Sequence, residues 1–322
     1  MRRGWKIAEI VLLCGLVLIS IPILSRAQEY PTKPINILSA YGAGTSTDVC
    51  GRALVSKAEK LLGQPMIVVN NPAGGGTLIL AQTAKAKPDG YSLVQHTSVG
   101  ISWFPHFRKL NYKLEDFTYI MQFGRPVAGL LVRADAPYKT LKEFVEYTKK
   151  NPVNYGATTK GTPKQTVMDY IAKKDGIQWI FIPYDADNLA LAGLMGGHVH
   201  AATSGNTFIP FVQQGRLRLL ATLSEDRRMK TFPDVPTLRE LGYNYFDPAT
   251  FLFAGPKGLP QPIVDKLGDA LHKAMSDPEF LKIMATSEVE VAYRNATDLR
   301  KYVEEVHSMA GRLVKDLNLP VE

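Results

Sequence analysis

A short apolar run, a glycine-rich turn and a helix-forming stretch succeed one another twice near the start of this chain, and no other feature restricts its fold as much. Residues 35–40 are apolar and lead into Gly42-Ala43-Gly44, after which Thr47-Asp48 opens a helix to about residue 62. Residues 66–69 form a second run, followed by Asn71-Pro72-Ala73-Gly74-Gly75-Gly76-Thr77 and a helix to about residue 85. Residues 91–96 form a third run. Strand, glycine turn and helix in repeated order predict parallel βαβ units. Sheets of that kind take ligands outside the carboxyl ends of their strands.

The pattern then repeats further along. Residues 117–123 and 129–132 read as strands, with a crossover between them at Arg125-Pro126. Helices are expected over 140–150, 163–174 and 188–195, interleaved with strands over 154–157, 179–183, 199–203 and 217–223. Residues 251–254 read as a strand crossing back, and the tail as helices over 261–276, 278–285 and 298–317. The expected fold is α/β: two α/β domains joined by two crossing strands, a hinged clamshell. One domain takes residues 28–126 plus 251–322 and docks the ligand; the other takes residues 127–250 and closes on it. A length of 322 residues suits two domains of roughly 120 to 170 residues each.

The N-terminus states where such a chain works. Met1-Arg2-Arg3-Gly4-Trp5-Lys6 is basic, residues 10–24 are apolar, and Ser25-Arg26-Ala27 places small residues at −3 and −1 of a cleavage site. Residues 1–27 therefore read as a signal peptide, with the mature chain beginning near Gln28 and working outside the inner membrane. An uncleaved anchor is the alternative, although the apolar run is short for a span of roughly 20 residues. Cys14 follows Leu12-Leu13 and makes a poor lipobox. Cys50 then remains alone, which excludes an internal disulfide and a cysteine metal cluster. The formal charge is +8; without Arg2, Arg3, Lys6, Arg26 and Glu9 the rest carries 34 basic and 29 acidic groups, about +5. That excess favours capture of anions but is too diffuse for nucleic acid, since no Lys/Arg run is interleaved with stacking aromatics.

The turns carry the chemistry. In Tyr41-Gly42-Ala43-Gly44-Thr45-Ser46-Thr47-Asp48 the glycines let backbone approach a ligand, and the helix behind offers unpaired N–H groups with partial positive charge. Hydroxyls of Thr45, Ser46 and Thr47 add donors. As a dinucleotide fingerprint the segment is weak, because Thr47 stands where the third glycine belongs; an ordinary capped turn is the alternative. Pro72-Ala73-Gly74-Gly75-Gly76-Thr77 is a second such turn, without the Gly-Lys-Ser/Thr of a Walker loop. Thr97-Ser98 ends the third strand at the same sheet edge. In the second half, Thr158-Thr159-Lys160-Gly161-Thr162-Pro163 follows a strand and opens a helix. Tyr184 offers either a phenol edge to the cleft or core packing, and Asp185 opposes a carboxylate unless it faces solvent or reads a ligand donor.

Catalytic arrangements find less support. His198-Val199-His200 would put two imidazoles on one strand face, but a third metal ligand is not in view. Asp185 and Asp187 could pair, although turn or N-cap use is commoner. Ser46 and Ser98 lack a G-x-S-x-G elbow, and Cys50 lies inside a helix. With donors but no nucleophile, base or metal, the chain reads as a binding protein for a small carboxylate, not an enzyme, and needs no cofactor.

The chain also resembles a known family. Tyr30-Pro31-Thr32-Lys33-Pro34-Ile35, the turn ending in Thr47-Asp48, Asn71-Pro72-Ala73-Gly74-Gly75 and Pro88-Asp89-Gly90-Tyr91 are similar to the Bug-type solute-binding receptors of tripartite tricarboxylate transporters. So are Tyr155-Gly156, Pro183-Tyr184, Leu194-Met195-Gly196-Gly197, Gly215-Arg216-Leu217-Arg218 and Pro233-Asp234-Val235-Pro236-Thr237. The resemblance implies a periplasmic receptor of the two-domain Venus flytrap, or periplasmic-binding-protein, fold that passes an organic acid to integral-membrane transporter subunits, one large and one small. It also implies a carboxylate held by amides and hydroxyls, often with ordered waters, and not by an arginine. Carried over by position, the ligand-binding candidates are Tyr41, Gly44, Thr45, Ser46, Gly74, Gly75 and Thr97 in the first lobe. Thr159, Thr162, Tyr184 and Ser204 are those of the second. The chain departs from the family pattern at Asp185-Ala186, at His200, at Gly42-Ala43-Gly44-Thr45-Ser46 and at Pro163-Lys164-Gln165, mostly in the second lobe, which reads the distal group. A co-receptor for a membrane sensor kinase and an exported metal-dependent hydrolase are the rival functions.

Overall fold

A computed structural model describes residues 30–226 and 228–319. The signal peptide expected over residues 1–27 lies outside the described residues. The first sheet has six strands: β1 (Ile35–Ser39), β2 (Met66–Asn70), β3 (Ser92–Thr97), β4 (Phe117–Arg125), β10 (Phe251–Pro256) and β11 (Glu290–Asn295), in the order β11-β4-β10-β3-β1-β2. The second has five: β5 (Ala128–Arg133), β6 (Asn154–Thr158), β7 (Ile180–Tyr184), β8 (Ala201–Gly205) and β9 (Leu217–Thr222), in the order β7-β6-β8-β5-β9.

The opening βαβ units form as expected. β1 pairs in parallel with β2 on one side and β3 on the other, Ile35 opposite Met66 and Leu38 opposite Val94. Ile35 and Ile37 are fully buried, which fixes the register, because a one-residue slip would turn both outward. Between β1 and β2 runs α1 (Ser46–Leu62), started by the Thr45 N-cap and stopped by Gly63 in the left-handed region. Its inner face carries Cys50, Leu54 and Ala58, all buried. Burial of a side chain such as Leu54 contributes about 2 kcal/mol. Gly51 lets the helix lie directly on β3: a Cβ there would fall within 1.9 Å of the Gln95 side chain. Gln95 in turn donates from Nε2 to the Thr47 carbonyl, clamping the start of α1 to β3.

In the second sheet β6 likewise pairs in parallel with β7 and β8, but neither sheet is parallel throughout. β10 runs antiparallel between β3 and β4, and β5 runs antiparallel to both β8 and β9. The reason is the crossings: β4 leaves the first sheet at Arg125, β5 enters the second at Ala128, and β10 returns. A strand that returns from another sheet need not follow the βαβ hand. β11 and the short helices Ser98–Ser102 and Ile209–Gln213 are among the elements not expected from the sequence. β8 starts two residues later than expected, so His198 and His200 lie in the preceding turn and not on a strand face. His200 Nδ1 meets Asn154 Oδ1 at 2.5 Å, and among the described residues no group of three metal ligands forms.

The two sheets share packing on one side of the molecule. One cluster joins Trp103, Phe104 and Phe107, from the chain after β3, with Leu130, Phe144, Tyr155 and Met168 of the second lobe. Tyr302, Val306 and Ala310 of the last helix, Ala296–Leu317, complete it. No helix among the described residues is long and apolar enough to cross a membrane.

Candidate ligand-binding crevice

The carboxyl ends of β1, β2 and β3 lie side by side. Tyr41 Oη meets Thr97 Oγ1 at 2.8 Å, drawing the first turn across the end of β3. Burial pushes the Tyr41 hydroxyl up to about 12, so it remains a protonated donor or acceptor. Asn70 Nδ2 donates to the Tyr41 carbonyl at 2.8 Å and to Asp48 Oδ1 at 2.7 Å, tying the end of β2 to the first turn. Asp48, 3 % exposed, also accepts from Gly44 N–H at 3.0 Å and from Arg52 Nε at 2.9 Å. Desolvation opposes its charge, yet these donors, Asn70 foremost, hold its carboxyl below the usual range.

The second turn has three successive left-handed glycines, Gly74, Gly75 and Gly76, at φ 63°, 66° and 83°. Gly76 is required twice over. Its φ is one that side-chain-bearing residues avoid, and a Cβ would sit 2.6 Å from Ala40 Cβ and 2.7 Å from His96 Nε2. The turn therefore rests on the end of β1 and on the His96 ring, and α2 (Thr77–Ala84) starts from it. His96 is 1 % exposed; its Nδ1 takes the Thr97 N–H at 2.7 Å, and burial lowers its pKa to about 4. A neutral imidazole thus underlies the wall.

This first wall presents backbone N–H groups, with the Arg108 guanidinium at its Gly75 edge. Ser46 and Thr47 open α1, where amides have no intrahelical partner. Other groups are already engaged: the Gly44 N–H by Asp48, and the Thr45 hydroxyl as donor to Gly42 O at 2.9 Å and cap for Asp48 N. Gly44, Thr45, Gly74 and Gly75 are exposed along the same edge, and Ser46 is half-buried.

The second wall stands opposite, across Arg108. Its guanidinium packs on Phe104 at 4.5 Å, lies 3.6 Å from where a Gly75 Cβ would be, and reaches the Lys160 carbonyl at 3.5 Å. The Gly75 turn and the β6–α loop of the second lobe therefore share one mouth. Thr159, at φ 32°, lies in that loop. Thr162 caps the helix Pro163–Asp175, accepting from Gln165 N at 3.3 Å, and its hydroxyl faces the Thr158 and Thr159 carbonyls.

Two of the remaining candidates are placed differently from the cleft-edge expectation. The Tyr184 ring lies over Gly156, and its hydroxyl takes the space a Gly193 Cβ would need, 2.2 Å away; this is the core-packing alternative. Ser204 is buried, with its hydroxyl on Gly205 O and Thr207 Oγ1, both at 3.0 Å. Asp185 faces solvent and does not pair with Asp187. Asp187 instead holds Lys164 through both oxygens, at 2.6 and 2.5 Å, and accepts from Gly205 N–H at 2.7 Å.

Sequence reasoning missed Arg108, Lys164 as a partner of Asp187, and Asp247. Asp247 lies on the long connection returning to β10, where its Oδ1 accepts from Ala249 N at 3.0 Å. Desolvation raises its pKa and Asp187 adds to this, while Lys164 and the Ala249 N–H oppose it. Its charge also acts on Tyr41, so it faces both walls. The one available signal was the departure at Pro163-Lys164-Gln165; nothing local marks Asp247.

A profile of the tripartite tricarboxylate transporter family receptor matches residues 50–319. A Cupriavidus necator protein described as a UPF0065 protein in the gbd 5′ region is 36% identical over 308 residues, spanning 95% of this chain and 94% of its own. The structure of the periplasmic binding protein BugD matches with TM-score 0.77 at 28% identity, covering 91% of this chain and 100% of that one. MatC from Rhodopseudomonas palustris with bound malate matches with TM-score 0.75 at 25% identity, covering 88% and 100%. The two-lobed architecture is that of periplasmic binding proteins.

Proposed function

This chain belongs to the tripartite tricarboxylate transporter receptor family, whose solved relatives are binding proteins and not enzymes, and from that premise we propose that it captures a small organic acid in the periplasm. In this reading the acid is delivered to a large and a small integral-membrane subunit. One carboxylate docks on the first wall, with Tyr41, Ser46, Gly74, Gly75 and Thr97 around it and Gly44 and Thr45 shaping the turn. The second lobe, residues 127–250, closes over the rest, bringing Thr159 and Thr162 to the mouth. Tyr184 and Ser204 support that lobe from behind.

The observation that carries the reading is the junction of three donor-rich strand ends through the Tyr41–Thr97 hydrogen bond and the Gly76 contact with Ala40 and His96. Amides at helix starts stabilise an anion without a fixed positive charge. MatC, a relative at the same fold, holds malate, a small hydroxy acid, which supports a ligand of that size. Closure is useful only if the ligand gains contacts that the open form lacks.

Mass spectrometry of the purified, denatured protein should release a small carboxylic acid, and calorimetry with that acid should give a dissociation constant of about 1 μM, worth roughly 8 kcal/mol. Release of a sugar or a metal ion, with no acid binding in titration, contradicts the proposal. Uptake of the labelled acid should fall on deletion of the gene, and a loss of transcriptional induction with unchanged uptake would point to signalling instead.

A further inference from the structure

The far wall of the crevice holds three charged side chains that come from separate parts of the chain. Lys164 stands in the first turn of the helix Pro163–Asp175 and Asp187 begins the helix Asp187–Met195. They form a two-oxygen ion pair with side chains 20% and 18% exposed. The pair is set firmly. The Lys164 carbonyl accepts from Thr203 Oγ1 at 2.6 Å, and Asp187 Oδ2 from Gly205 N at 2.7 Å. A Cβ on Gly205 would lie 3.0 Å from Asp187 Oδ2 and 3.9 Å from both Lys164 Nζ and the Val127 carbonyl. The pair therefore lies against the first crossing, beside Val127. Asp247 approaches from the other crossing: its N–H donates to Leu223 O at 2.8 Å, and the adjoining Pro248 carbonyl accepts from Ser98 Oγ at 2.7 Å, at the end of β3. Asp247 Oδ2 has no donor among the described residues.

One cation thus faces two carboxylates, and that cation is already shared between both oxygens of one of them. A second carboxylate on the ligand would have to detach Lys164 from Asp187 and then lie near Asp247. An ammonium group meets the opposite situation, an acceptor with a free oxygen and a second carboxylate beside it. Burial raises the pKa of Asp247 against the pull of Lys164, which marks it as short of positive partners. Arg108 is at the mouth, on Phe104 and the Lys160 carbonyl.

We propose that this wall selects a ligand whose second polar group is a positively charged hydrogen-bond donor, an amino-carboxylate in preference to a dicarboxylate, with Asp247 as its main acceptor and Asp187 as the secondary one. The inference rests on carboxylate capture by the first wall.

The test is calorimetry on the full mature protein with acids matched in length and different only at the far end. Succinate, 4-hydroxybutyrate and 4-aminobutyrate form one set; adipate and 6-aminohexanoate a second; terephthalate and 4-(aminomethyl)benzoate a third. In the set that fits, the ammonium member should bind about tenfold or more tightly than the dicarboxylate. Asp247→Asn should remove about tenfold of that ratio, and Asp187→Asn a smaller part, a change of preference that a purely structural role would not produce. A tighter dicarboxylate in every set, or a ratio unmoved in both variants, overturns the inference and leaves carboxylate capture standing. Absence of binding by every acid overturns both.

Discussion

The two walls of the crevice are built on different principles. The first is made of backbone: strand ends, left-handed glycines and helix starts, locked by uncharged contacts such as Tyr41–Thr97. The second is made of side-chain charge, Lys164, Asp187 and Asp247, gathered from positions far apart in the chain. A backbone site tolerates little change in shape but gives the same reception to any carboxylate. A side-chain site is easily rewritten without disturbing the fold. In the proposed function, the first lobe captures the carboxylate and the second sets the individual ligand.

The contrast gives unequal outcomes for equivalent substitutions. Gly76→Ala forces a left-handed residue into contact with Ala40 and His96, and should cost about 3 kcal/mol in urea denaturation. A cost below about 1 kcal/mol would show that the first wall is not rigid in this way.

Acid should act on the same wall. The folded pKa of His96, about 4, lies below its ordinary 6.5, so the neutral ring stabilises the fold fully above pH 6.5. As pH falls from 6.5 toward 4 the unfolded chain takes up a proton that the folded chain does not, and stability drops by about 3 kcal/mol. His96→Gln should flatten that slope between pH 6.5 and 4.5; an unchanged slope assigns the acid loss to other groups.

The smallest effect belongs to the second wall. At Gly205, with φ −67°, a Cβ crowds one side-chain oxygen, Asp187 Oδ2 at 3.0 Å, and meets Lys164 Nζ and the Val127 carbonyl at an ordinary 3.9 Å, so Gly205→Ala should cost about 1 kcal/mol or less while altering ligand preference. A loss of stability equal to that of Gly76→Ala would erase the distinction between the walls.

This division also explains how much of the site was legible. Glycine turns, caps and strand ends are local patterns, so Tyr41, Gly44, Thr45, Ser46, Gly74, Gly75 and Thr97 were readable as one edge before any coordinates. Most element positions followed from the same local rules. β11 escaped because its burial alternates weakly, with Val291 and Tyr293 exposed. The antiparallel return of β10 depends on the crossing between sheets, which no local pattern records. The Lys164–Asp187 pair spans 23 residues and Asp247 lies farther along, so only the folded chain brings them together. Tyr184 shows the limit from the other side: a residue at a strand end was open to either reading, and only the folded chain shows its ring packed on Gly156 and Gly193.

The most direct measurement is a crystal structure of the protein with the acid selected by titration. Carboxylate oxygens within about 3 Å of the Ser46 and Thr47 amides and of the glycine turn before α2 are the predicted result. A carboxylate seated on Lys164 or Arg108, with those amides more than about 4 Å away, would contradict the account.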